Sequence, residues 1–174
     1  MRYSLSAAVA ALLACAAPSA AHVSLEVKEA KAGSAYKAVL RVPHGCDGEA
    51  TLRVRVRVPD GLYSVKPMPK AGWTLETVTG PYAQPFDNHG TTVTEGVREI
   101  VWTGELQDAH YDEFVFRGSL ARGLAAGSFL AIPVVQECAN GAERWIQVPA
   151  EGQSADDLER PAPMLRILPA SGGH

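Results

Sequence analysis

His22 offers the most chemistry of any residue in the chain. It directly follows Pro18-Ser19-Ala20-Ala21, the end of an apolar leader. Cleavage after Ala21 makes His22 the first residue of the mature protein. It then carries two nitrogen donors, a free α-amine and an imidazole. Such a pair chelates a single metal ion, and Cu(II) is the ion that most favours nitrogen donors in a tetragonal site. The amine must lose its proton to bind, and its ordinary pKa is about 7.7–8.0, so affinity falls as pH drops.

Two nitrogens leave room for one or two further donors. Tyr111-Asp112-Glu113-Phe114-Val115-Phe116 holds a candidate. In a strand, Asp112 shares a face with Phe114 and Phe116, while Glu113 shares the other with Tyr111 and Val115. Burying a carboxylate among apolar neighbours needs compensation such as a bound cation, and the pattern fits equally well a Glu113 that points to solvent or pairs with an arginine. Trp145 is out of phase with Ile146 and Val148, so either another layer covers it or it lines a site. The other histidines, His44, His89, His110 and His174, lack any pair at i, i+2 or i, i+4 spacing and read as surface residues.

Cysteine usage bears on the same question. Of three cysteines, Cys15 belongs to the leader, leaving Cys46 and Cys138. In an exported protein two cysteines pair. The bridge closes a loop of about 92 residues, worth at most about 4–5 kcal/mol in the chain-entropy picture. The competing reading, thiolates holding Cu(I), has no Cys-x-x-Cys and no methionine cluster beside it.

The elements that must position these residues follow from periodicity. Residues 1–21 read as a secretory signal: Arg2, then an Ala/Leu-rich stretch too short to span a bilayer, then small residues Ser19 and Ala21 at the cut. A rival cut exists, since Leu12-Leu13-Ala14-Cys15 loosely resembles a lipoprotein box that would keep a lipidated Cys15, though Leu13 suits it poorly. The remainder suits one domain, residues 22–168, with 169–174 as a frayed tail. Thr51 to Val58 alternates cleanly, placing Leu52, Val54, Val56 and Val58 on one face and Arg53, Arg55 and Arg57 on the other. The arginine row reads as a solvated face with acidic neighbours.

Further strands are predicted over Val23–Lys28, Ala35–Val42, Tyr63–Lys66, Trp73–Val78, Val97–Thr103, Tyr111–Arg117, Phe129–Val135, Arg144–Val148 and Met164–Leu168. Gly80–Gly96, polar and holding two prolines, Pro81 and Pro85, reads as a long loop, and Ala155–Arg160 as at most a short helical turn. Trp102 is in phase with Ile100 and belongs to the core, while Trp73 covers a sheet end. Many short strands separated by turn signals predict an all-β antiparallel sandwich. Without the leader the chain holds 15 Lys+Arg against 19 Asp+Glu, since only Arg2 is lost, which argues against nucleic acid as a partner. There is no nucleophile elbow, phosphate loop or dinucleotide fingerprint, and Asp156-Asp157 read as solvated, so nothing builds a hydrolase.

The motifs, in order, resemble the YcnI-like copper-binding domains of exported bacterial proteins. They are Ala21-His22-Val23, His44-Gly45-Cys46-Asp47-Gly48, Lys66-Pro67 with Ala71-Gly72-Trp73, Ile100 to Gly104, Tyr111 to Phe114, and Val135 to Cys138 followed by Trp145. The resemblance covers about His22 to Pro149. It implies an immunoglobulin-like fold and one Cu(II) per chain in a single-histidine brace. The ligands would be His22 and the carboxylate mapped onto Glu113, with Trp145 beside the metal and Cys46–Cys138 as a disulfide. It implies copper storage or delivery outside the cytoplasmic membrane, in the periplasm or secreted, with a copper transporter or another copper chaperone as partner. Some relatives carry a C-terminal membrane anchor, whereas this sequence ends at Pro169 to His174 without one. Two other functions stay open: a copper oxidase or oxygenase, which would want a second ligand histidine, and a metal-free binding module.

Overall fold

The computed structural model describes residues 22–171, so the predicted leader (1–21) and the last three residues of the tail lie outside the described residues. Twelve strands are numbered in chain order: β1 (Ser24–Leu25), β2 (Glu29–Lys31), β3 (Ala35–Val42), β4 (Thr51–Arg57), β5 (Leu62–Pro67), β6 (Thr74–Asn88), β7 (Thr91–Leu106), β8 (Asp112–Leu120), β9 (Phe129–Ala131), β10 (Val134–Glu137), β11 (Ala142–Trp145) and β12 (Met164–Leu168). One 3₁₀ turn, Ala155–Asp157, is capped by Ser154, whose hydroxyl accepts from the Asp156 N–H.

A four-stranded sheet, β1-β3-β8-β5, faces a five-stranded sheet, β11-β10-β4-β7-β6, and a small sheet, β2-β12-β9, adds a third layer edge. Alternating inward residues fill the space between them. Leu40, Phe114 and Phe116 come from the first sheet, Val54, Ile100, Trp102 and Val134 from the second, and Leu165 and Ile167 from β12. The all-β sandwich expected from periodicity is the architecture found.

Several local expectations are corrected. Gly80–Gly96 is no loop but the distal half of the long β6–β7 hairpin, which turns at His89-Gly90 with φ of 54° and 83°. Two positive φ values suit a two-residue hairpin turn whose twist matches its strands. The two prolines that suggested a loop, Pro81 and Pro85, sit on β6 at the sheet edge, where a missing N–H is tolerated. Tyr82 and Phe86 bury themselves there against Ala121 in a second small cluster.

Leu52 is 39% exposed while Thr51 is fully buried, because β4 shifts register against β7 between Thr51 and Arg53. The predicted strand Phe129–Val135 is split by Ile132-Pro133, and Val23–Lys28 keeps only two paired residues before a separate β2. Arg144–Val148 ends at Trp145, and its phase is opposite to the simple apolar one. Trp145 lies opposite core residue Val134 and is 4% exposed, whereas Ile146 and Val148 are 44% and 58% exposed. The register of β10 sets which side faces inward, and the large indole takes the inward position.

A candidate metal centre at the N-terminal edge

β1 and β11 are edge strands of the two facing sheets, and His22 and Trp145 meet across that edge. Val23 and Leu25 are buried and hold the start of the chain against the core. The Tyr36 hydroxyl donates to the Val27 carbonyl at 2.6 Å and ties down the segment after β1. Burial pushes the Tyr36 phenol up to about 12. With its backbone held in this way, half-buried His22 puts its ring 5.3 Å from the Trp145 ring, tilted by 52°.

Trp145 is itself held. Its indole Nε1–H donates to Gln136 Oε1 at 3.2 Å. Gln136 is fully buried, and its amide donates to Thr51 Oγ1 at 2.6 Å and to the His44 carbonyl. These bonds lead into the His44–Glu49 loop, where Cys46 and Glu49 exchange backbone hydrogen bonds. A side chain at Gly45 would place a Cβ 1.7 Å from the Glu49 carbonyl oxygen, so only glycine fits. The Cys46–Cys138 disulfide closes the same region, as the cysteine count predicts. Gln136 and Thr51 were missed as site-supporting residues, although a signal for Gln136 was present. It alternates in phase with Val134, and a polar residue at a core position calls for a buried hydrogen-bond network.

The predicted residues are not all brought together. His22 and Trp145 adjoin. Glu113 lies on the outer face of the four-stranded sheet, where it accepts from Arg41 Nε at 3.2 Å. Register pairs Ser24 with Arg41 and Arg41 with Glu113, so Glu113 lies two strands from β1, about 10 Å across. Arg41 also pairs with Glu26 at 3.5 Å. Instead, His22 lines a cavity of about 330 Å³ together with Asp156, Glu29 and Met164. Glu29 pairs with Arg166 at 3.0 Å, whereas the Asp156 carboxylate has no ion pair among the described residues. His44 is half-buried and contacts the Gly45 carbonyl through Nδ1, His89 and His110 are exposed, and His174 is outside the described residues.

Among the described residues, no group of three or more His, Cys, Asp or Glu side chains is placed to hold a metal ion. A metal site at His22 would therefore need a donor from outside these side chains, and cleavage before His22 would create one in its α-amine. An amine, an imidazole and one carboxylate form a mixed nitrogen and oxygen set that suits a tetragonal ion such as Cu(II).

The architecture is an immunoglobulin-like β-sandwich. A crystallised protein from Nocardia farcinica, described as uncharacterized and as having an immunoglobulin-like fold, superposes with a TM-score of 0.62 at 24% identity, covering 84% of this chain and 98% of its own. The sequence profile of a family described as a domain of unknown function (DUF1775) matches residues 22–167, and the chain belongs to that family, the YcnI-like domain family its motifs resemble. No curated protein sequence matches the chain significantly. No helix among the described residues is long and apolar enough to cross a membrane.

Proposed function

We propose that the mature protein, exported and cut between Ala21 and His22, binds one Cu(II) at its new N-terminus and stores or hands it on in the periplasm or outside the cell. The observation that carries this is the placement of His22. Its ring packs on Trp145 at the sandwich edge and opens into a cavity lined by Asp156. The family resemblance supports the same ion. Copper here is cargo, held and released by ligand exchange, and the protein is a binder rather than an enzyme. Its partner would be a membrane copper transporter or another copper chaperone.

The α-amine and imidazole of His22 supply two nitrogens. Of the two candidate carboxylates, Asp156 shares the His22 cavity, and Glu113 would have to leave Arg41. Asp156 is therefore the better third donor. Trp145 covers one side of His22 and limits access of water and reductant to the ion. Ligand exchange is proton-coupled: each pH unit below about 7.7 costs the amine contribution about tenfold in affinity.

The test is Cu(II) titration of the protein beginning at His22, beside a form with one extra residue before it, read by electron paramagnetic resonance and Trp fluorescence. Tight one-to-one binding lost on extension establishes the amine donor. Equal binding in both forms, or none in either, overturns it. In the same assay Asp156→Asn should weaken binding and Glu113→Gln leave it unchanged. The reverse result returns the carboxylate role to Glu113.

A further inference from the structure

The outer face of the four-stranded sheet carries a row of cations that no carboxylate among the described residues pairs with. Lys37 on β3 lies directly opposite Arg117 on β8, and Arg117 directly opposite Lys66 on β5. All three are exposed, and none takes part in an ion pair among the described residues. Like charges directly opposite on neighbouring strands destabilise a sheet. They stand in a chain of net charge −3, whose other sheet faces set Arg53 and Arg55 against Glu99 and Glu137.

The row borders a groove of about 560 Å³, the size range of small-molecule sites. Beyond the three cations its lining is chiefly apolar and includes Val115, Pro67 and Met68, the last 51% exposed. An added peptide strand is poorly accommodated at this edge. The Met68 N–H donates inward to the Val115 carbonyl at 2.8 Å. The flanking residues, Pro67 and Pro69, would present the outward N–H groups an added strand requires, and they have none. What remains is recognition by side chains, with charge at one side and apolar surface at the other.

We propose that this groove binds a single-chain anionic amphiphile, its acidic head held by Lys37, Arg117 and Lys66 and its alkyl part lying on Val115, Pro67 and Met68. The bound anion relieves the repulsion within the row, and the apolar wall selects for the chain. The site is separate from His22 and does not depend on copper.

Dodecanoate tests it, titrated below its micelle concentration into the protein beginning at His22, with acetate and phosphatidylglycerol vesicles as comparisons. Calorimetry and the Met68 methyl resonance provide the readouts. The expected result is saturable one-to-one binding of dodecanoate, with acetate at least a hundredfold weaker. K37Q/K66Q/R117Q should lose at least tenfold in affinity while keeping its circular dichroism. Met68→Ser, at an exposed position, removes apolar surface without changing charge and tests the apolar half independently should the triple variant fail to fold; it too should lose tenfold. No saturable binding, acetate binding as tight as dodecanoate, unchanged affinity in the folded variants, or uptake on vesicles alone would each overturn the proposal.

Discussion

Gln136 and Glu137 are neighbours on β10 and face opposite sides of the five-stranded sheet. Gln136 points inward, fully buried, with its amide and carbonyl bonded to Thr51, His44 and Trp145. Glu137 points outward and accepts from Arg53 at 3.0 Å and Arg55 at 3.1 Å. Burial raises the Glu137 carboxyl, and the two guanidiniums outweigh it, so its pKa lies below the ordinary 4.5. Both residues are fully engaged, yet their energetic stakes differ. A buried polar group that loses a partner cannot turn to water, whereas a half-exposed carboxylate can. The inner network fixes one position for Trp145, and the outer one dresses the surface.

The largest break in this comparison removes the anchor beneath the inner network. Cys46→Ser with Cys138→Ser should cost about 2–5 kcal/mol, lowering Tm by roughly 5–15 °C in a thermal melt. It should also loosen the His44–Glu49 loop, seen as faster amide exchange there. Next comes Gln136→Leu, which strands the Trp145 Nε1–H, the Thr51 hydroxyl and the His44 carbonyl. About 1–3 kcal/mol is expected in urea unfolding. The same variant should shift Trp fluorescence, since the indole loses its acceptor.

Trp145→Phe is gentler, because a ring remains to cover His22. Copper affinity should fall several-fold, within about 1.4 kcal/mol, and ascorbate should reduce the bound ion faster. Unchanged affinity and reduction would remove the shielding role. The smallest effect belongs to the outer face: Glu137→Gln should cost about 0.2–1 kcal/mol, since Arg53 and Arg55 are 47% and 42% exposed. Its pH dependence carries a sign. Because the folded pKa is lowered, the contribution is present above about 4.5 and is lost as pH falls through the folded value. Melts of wild type and Glu137→Gln should therefore converge below pH 4.5, and a difference that persists to pH 2 would show that the pair acts through packing.

Much of the sandwich was legible because strand alternation is a local property. Ala35–Val42 and Met164–Leu168 pair over the residues that periodicity assigns. Where reading failed, a partner strand had overruled the local pattern. A register shift against β7 exposed Leu52 and buried Thr51, and pairing with β10 turned Trp145 inward while leaving Ile146 and Val148 outside. Prolines marked Gly80–Gly96 as a loop because the sequence does not announce that β6 is an edge strand.

By itself the sequence determined the β class, the pairing of Cys46 with Cys138, and the fact that cleavage after Ala21 would expose a histidine amine. Each depends on spacing along one chain or on a count of residues. Only the tertiary structure decided which side chains meet. It set His22 against Trp145, 123 residues later, drew Asp156 to the cavity that His22 lines, and left Glu113 with Arg41. Lys37, Arg117 and Lys66 came into one row by strand order. Those neighbours follow from sheet order and cross-strand register, which minimise the free energy of the whole core and are written in no single segment.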